Sequence, residues 1–226
     1  TIIIAPTEYS TTAPLKLAAP KYGFRAATMP GFSQNMIPAL RLDYNEINRK
    51  VVFLKGLLDR AHSALVEFRV GEWSGSLLLD LRHRTAHASS GLFRRKGEAG
   101  NLPSGEAYIV PYEGEIDDLP SRSSGQLPVE FEDGLVVYEI RGNKAVGVTG
   151  DPRKGAHPSS AALEREKKLV ATEPAYCNLS ELGLGVLAEF GVEPIGNVLL
   201  DEKLGLHIAF GRSDHFGGQV GPKHFS

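Results

Sequence analysis

The hydrophobic pattern of this chain changes period near Ala64, and that change constrains its fold more than any single motif. Upstream, Ile47, Val51, Leu54, Leu58, Ala61 and Leu65 recur at steps of three and four. That spacing predicts a helix over about 44–65 with these side chains on one core-facing stripe. Asp43 stands at the N-cap position, with Glu46 three residues on, a capping box with Asp in place of Ser or Thr. Before the helix, the apolar run Ile2–Ala5 and a helix-like stretch from Ala13 to Tyr22 form a strand followed by a helix.

Downstream the period falls to two. Strands are predicted at 65–70, 76–81 and 107–110, and a hairpin at 135–140 and 144–148 turns around Arg141-Gly142-Asn143. A charged helix over 160–171 interrupts them, and shorter apolar runs follow at 182–187, 198–200 and 206–210. The reading is an α+β chain, with a small α/β part over 1–63 and a β-rich part over 64–226 that carries the functional site. Both ends are abrupt: Thr1-Ile2-Ile3-Ile4 reads as a strand already under way, and Lys223-His224-Phe225-Ser226 stops equally suddenly. Further sequence is expected at both.

Charge narrows the function. With 25 Lys and Arg against 27 Asp and Glu, the chain lacks the basic surplus of a phosphate-backbone binder, so no nucleic-acid partner is expected. The one dense basic run, Arg94-Arg95-Lys96, reads as a solvated loop. No stretch reaches the roughly 20 apolar residues of a membrane span, and no membrane partner is expected. A single cysteine, Cys177, excludes an intramolecular disulfide and a thiolate-rich zinc site. Any metal must therefore be held by His, Asp and Glu. A lone thiol suits a cytoplasmic setting.

Three passages place acidic or histidine side chains in glycine-flanked turns. In Asn101-Leu102-Pro103-Ser104-Gly105-Glu106, the carboxylate is the first side chain of the strand that follows, as a rigid metal ligand or as an exposed strand-edge glutamate. Glu181, in Ser180-Glu181-Leu182-Gly183-Leu184-Gly185, sits among apolar and small residues, where a carboxylate is costly unless paired or metal-bound. Its alternative is a helix-start glutamate beside Ser180. His207, within Leu206-His207-Ile208-Ala209-Phe210, alternates with apolar positions as a ligand or as a hydrogen-bonded core histidine. Asp214 and His215 follow in one short loop and are the candidate catalytic pair, or equally two polar residues exposed to solvent. His83 and His87 would share a face only on a helix.

In this order, Leu-Pro-Ser-Gly-Glu at 102–106, Glu-Leu-Gly-Leu-Gly at 181–185, and Asp-Glu-Lys at 201–203 followed by Leu-His-Ile-Ala-Phe-Gly at 206–211 resemble the thermophilic M29 metallopeptidase family of T- and S-type aminopeptidases. The resemblance covers about residues 100–215. It implies Glu106, Glu181 and His207 as metal ligands around zinc, cobalt or manganese, two ions roughly 3.5–4 Å apart activating a water toward a peptide's first bond. It also implies a homodimer and a small peptide substrate. Two departures are visible: Asp214 stands where the family has tyrosine, and no His-x-Asp pair follows His215, since His224 is followed two residues on by Ser226. Relatives similar to 2,5-dihydroxypyridine 5,6-dioxygenase supply the alternative, one non-haem Fe(II) acting on a small aromatic ring. A relative that only binds in its cleft is the third reading.

Overall fold

The computed structural model describes residues 1–154 and 160–221, apart from the side chains of Lys154 and His215. In chain order, β1 (Ile2–Thr7), α1 (Thr12–Tyr22), β2 (Arg25–Pro30), the short α2 (Ile37–Leu40) and α3 (Tyr44–Leu58) come first. There follow β3 (Ser63–Val70), β4 (Trp73–Asp80), β5 (His87–Ser89), β6 (Ala99–Asn101) and β7 (Glu106–Ile109). Next are β8 (Ser124–Phe131), β9 (Gly134–Arg141), β10 (Lys144–Gly150) and α4 (Ala161–Thr172). The last elements are β11 (Leu179–Gly185), α5 (Val198–Asp201) and β12 (Leu206–Phe210). The α+β class expected from the two hydrophobic periods is what the chain adopts.

The chain divides into two compact units. One comprises Thr1–Asp59, Ala86–Tyr108 and Leu182–His207; the other comprises Arg60–Thr85, Ile109–Glu181 and Ile208–Ser226.

In the first unit, β1, β2 and β6 form a parallel sheet in that order, with α1 as the crossover between β1 and β2. Burial follows position in the sheet: the middle strand β2 buries four consecutive residues, whereas the edge strand β1 alternates exposed and half-buried. Asp43 caps α3 by accepting the amides of Asn45 and Glu46, as its position predicts. Glu46 does not complete the box; its carboxylate pairs with Arg49 instead. Ile47, Val51 and Leu58 are buried, and Leu54 is half-buried.

The helix stops at Leu58, short of the predicted 65. Ser63–Val70 alternates, and as β3 all eight of its residues register against β4, Leu65 opposite Leu78. Pairing satisfies that backbone, and Leu65, fitted to the helical stripe by spacing alone, is 64% exposed.

The second unit holds a five-stranded antiparallel sheet, β10-β9-β8-β4-β3. Its β9–β10 hairpin turns on Gly142 and Asn143, both in the left-handed region that a two-residue primed turn requires. The Tyr138 hydroxyl, on β9, donates to Glu166 of α4 at 2.8 Å. Asp80, at the end of β4, is 2% exposed and is gripped by Arg82 through both carboxylate oxygens and by the Arg122 amide. A four-stranded sheet in the order β12-β11-β7-β5 carries the passages that the sequence singles out.

Candidate metal centre

Glu106 opens β7, as its place after the Pro-Ser-Gly turn predicts, and registers against Ser89 of β5. Ser104, fully buried, anchors the turn by donating to the Ser89 carbonyl at 2.8 Å. Glu106 itself is only 4% exposed. Glu181 lies inside strand β11, which removes the helix-start alternative. His207 is the second residue of β12, its side chain 18% exposed.

Alternation along β11 puts positions 181, 183 and 185 on one face. That face reads Glu, Gly, Gly, and the glycines leave room for two incoming groups. A Cβ at Gly183 would overlap Cε1 and Nε2 of the His207 imidazole, and one at Gly185 would overlap the backbone of Lys203. Gly185 also donates its amide to the Gly205 carbonyl at 2.8 Å, tying β11 to the turn that carries Lys203. The glycines of the motif are thus spaces for its partners.

Glu106, Glu181 and His207 each offer a ligand atom, and these atoms all lie within 4.8 Å of one another. Two donors bound to one ion at about 2.1 Å each stand at most about 4.2 Å apart, so a small contraction closes this set on a cation. The mixture of carboxylate oxygen and imidazole nitrogen suits divalent first-row metals.

Lys203 is the residue the sequence reading leaves without a role. It is 2% exposed, and its Nζ lies 2.6 Å from Glu106 Oε1 and also contacts Glu202 Oε1. Burial pushes its pKa down, but the Glu106 and Glu202 carboxylates outweigh that and hold it above the ordinary lysine value. It therefore remains an ammonium. Glu106 consequently has its two oxygens differentiated: Oε1 is held by Lys203, and Oε2 faces His207 Nε2 at 3.5 Å. Among the described residues, the carboxylates of Glu106, Glu181 and Glu202 gather near the Lys203 ammonium and the His207 imidazole, a negatively weighted set of the kind that suits a divalent cation.

The likeness to known proteins is one of fold. The structure superposes on 2,5-dihydroxypyridine dioxygenase from Pseudomonas putida with a TM-score of 0.69 at 16% identity, covering 96% of this chain and 62% of that one. It superposes on AmpT from Thermus thermophilus with a TM-score of 0.50 at 20% identity, covering 75% of this chain and 41% of that one. The chain thus spans about three-fifths and two-fifths of the lengths of these structures. No family model matches the sequence, and no curated protein matches it either.

The other candidates fall elsewhere. Asp214 begins a short turn, pairs with Arg212 at 3.1 Å, and is absent from the donor cluster found among the described residues. The His215 side chain and all of His224 lie outside the described residues. His83 and His87 are not on a helix: His83 sits in a turn with its ring edge against Tyr112, and His87 opens β5, stacked on Tyr108. Among the described residues, no helix is long and apolar enough to cross a membrane.

Proposed function

We propose that this chain is a metal-dependent hydrolase of the aminopeptidase type, with Glu106, Glu181 and His207 as ligands. The observation that carries the reading is the convergence of two carboxylates and one imidazole to within 4.8 Å. That donor set would fit zinc, cobalt or manganese, one ion or two. A divalent ion held there supplies Lewis acidity toward an amide carbonyl and toward water. Around it, Lys203 keeps Glu106 Oε1 occupied, which would leave Oε2 to hold an ion, and the absence of a side chain at Gly183 gives the His207 ring its room. Asp214 and His215 are assigned proton transfer in this reading. A small peptide substrate, a homodimer and a cytoplasmic setting belong to the same proposal.

The second reading, an Fe(II) ring-cleaving dioxygenase, is favoured by the 96% of this chain that superposes on a structure of that name. Against it stands the donor set, since iron of that type is commonly held by two histidines and one carboxylate. Metal analysis of protein purified without oxygen, followed by assays on amino-acid amides, separates the two. Zinc, cobalt or manganese lost in Glu181→Ala and His207→Ala, together with amide hydrolysis, supports the hydrolase. One iron per chain and turnover of hydroxylated pyridines would replace it with the dioxygenase. A chain that takes up no metal would leave a binding protein.

A further inference from the structure

A cavity of about 600 Å³ opens at the amino edge of the parallel sheet in the first unit, where the strands begin. It is lined by Thr1, Ile2, Arg25, Arg94 and Lys96. Ile2 and Arg25 are the first residues of β1 and β2 and stand side by side in the register. Arg94 and Lys96 lie in the turn that leads into β6. Two backbone bonds fasten that turn to the start of β2: the Gly97 amide donates to the Phe24 carbonyl at 2.8 Å, and the Ala26 amide to the Glu98 carbonyl at 3.1 Å. None of the lining residues belongs to the donor cluster of the candidate metal centre.

The basic run reads as a solvated loop in the sequence, yet its three side chains part company. Arg95 turns to Glu98, whose carboxylate accepts from its Nε at 2.9 Å and neutralises it. Arg94 and Lys96 join Arg25 on the cavity instead, and among the described residues no carboxylate lines it or pairs with any of the three. Both guanidiniums are nonetheless held by neutral acceptors. Arg25 Nη1 donates to the Phe93 carbonyl at 2.9 Å, and Arg94 Nη2 donates to Asn45 Oδ1. Each bond fixes one nitrogen of a group with five N–H donors and removes no charge. Three cations are thus gathered without a counter-ion on a chain whose formal net charge is −2. They repel one another, and an arriving anion relieves that repulsion.

We propose that this cavity binds the phosphoryl group of a phosphate monoester. Near neutral pH that head is close to doubly charged and carries three acceptor oxygens. It can meet two guanidinium forks and one ammonium at once, where a carboxylate offers two oxygens and a single charge. The volume exceeds the head alone and leaves room for the organic part, with Ile2, 62% exposed, as its apolar wall. The site goes beyond the hydrolase reading and does not depend on it.

The test is calorimetric titration of the full chain with phenyl phosphate and with benzoate, in the presence of a chelator so that no metal takes the phosphate. Phenyl phosphate is expected to bind at least tenfold more tightly than benzoate, and more weakly as salt is raised. Arg94→Gln and Lys96→Gln combined, both at exposed positions, are expected to lower that affinity at least tenfold while the urea midpoint stays in place. Arg25→Gln is expected to remove binding, and if that half-buried change prevents folding the exposed pair still decides. No binding of phenyl phosphate, equal affinity for benzoate, or unchanged affinity in the double variant would overturn the proposal. Phosphatidylcholine vesicles with and without phosphatidic acid then identify the source of the phosphoryl group. Capture by the phosphatidic acid vesicles alone, lost in the double variant, makes it a lipid head group. No capture beside tight phenyl phosphate binding makes it a soluble ester.

Discussion

The imidazole of His207 occupies the space that a side chain at position 183 would need. Gly183→Ala is therefore expected to act on the metal centre although glycine ligates nothing. The added methyl must displace the ring from the β11 face, costing about 1–3 kcal/mol in overpacking and misplacing one of three donors. Metal affinity should fall at least tenfold in equilibrium dialysis. Wild-type affinity in this variant would disprove the packing argument.

Lys203→Met should separate the two charges that Glu106 serves. In the absence of metal it removes the ammonium from a carboxylate that is only 4% exposed, and a buried pair broken on one side typically costs about 3–5 kcal/mol. A bound divalent ion supplies positive charge in its place. Urea unfolding should therefore show the variant gaining more stability from added zinc than wild type does. Equal gains in the two proteins would mean that Lys203 and the ion do not act on the same carboxylate.

Acid lability is expected from Asp80. Burial alone would push its carboxyl up, but the Arg82 guanidinium and the Arg122 and Arg82 amides outweigh it and hold the value below the ordinary aspartate range. A carboxyl depressed in the folded state contributes stability that is present above its unfolded value, near pH 3.8, and lost as pH falls through the lower folded value. Asp80→Asn should be less stable than wild type at neutral pH, and the gap should narrow below about pH 4. A gap that stays constant from pH 7 to 3 would contradict this assignment.

On α3, cost should track burial rather than the sequence stripe. Ile47 is fully buried, and Ile47→Ala should destabilise by about 2–5 kcal/mol through the cavity it leaves. Leu54 shares the stripe but is half-buried, so Leu54→Ala should cost clearly less. Denaturant midpoints of the two variants would order them.

What the sequence displays and what it conceals divide by range. The Asp43 cap, the β9–β10 hairpin and the strand placement of Glu106 and His207 are local, set by neighbours within a few residues. The end of α3 is concealed because Ala61 and Leu65 happen to fit a helical step while the stronger pairing partner, β4, lies further along the chain. Lys203 is concealed for the same reason in extreme form. Nothing beside it announces burial, and its partner Glu106 lies 97 residues away. Gly183 and Gly185 read as flexibility in sequence, and only the approach of His207 and Lys203 shows them to be clearances.

The ion pair between Lys203 and Glu106 has a bearing on how the centre fills. Small metallo-domains whose ligands repel one another collapse into order only as the ion arrives, so uptake and folding are a single event. Here an internal cation already steadies the most deeply buried carboxylate of the cluster. If the proposed reading holds, the pocket for an ion would thereby be preorganised, and exchange of one metal for another would be a local event within a chain that stays folded.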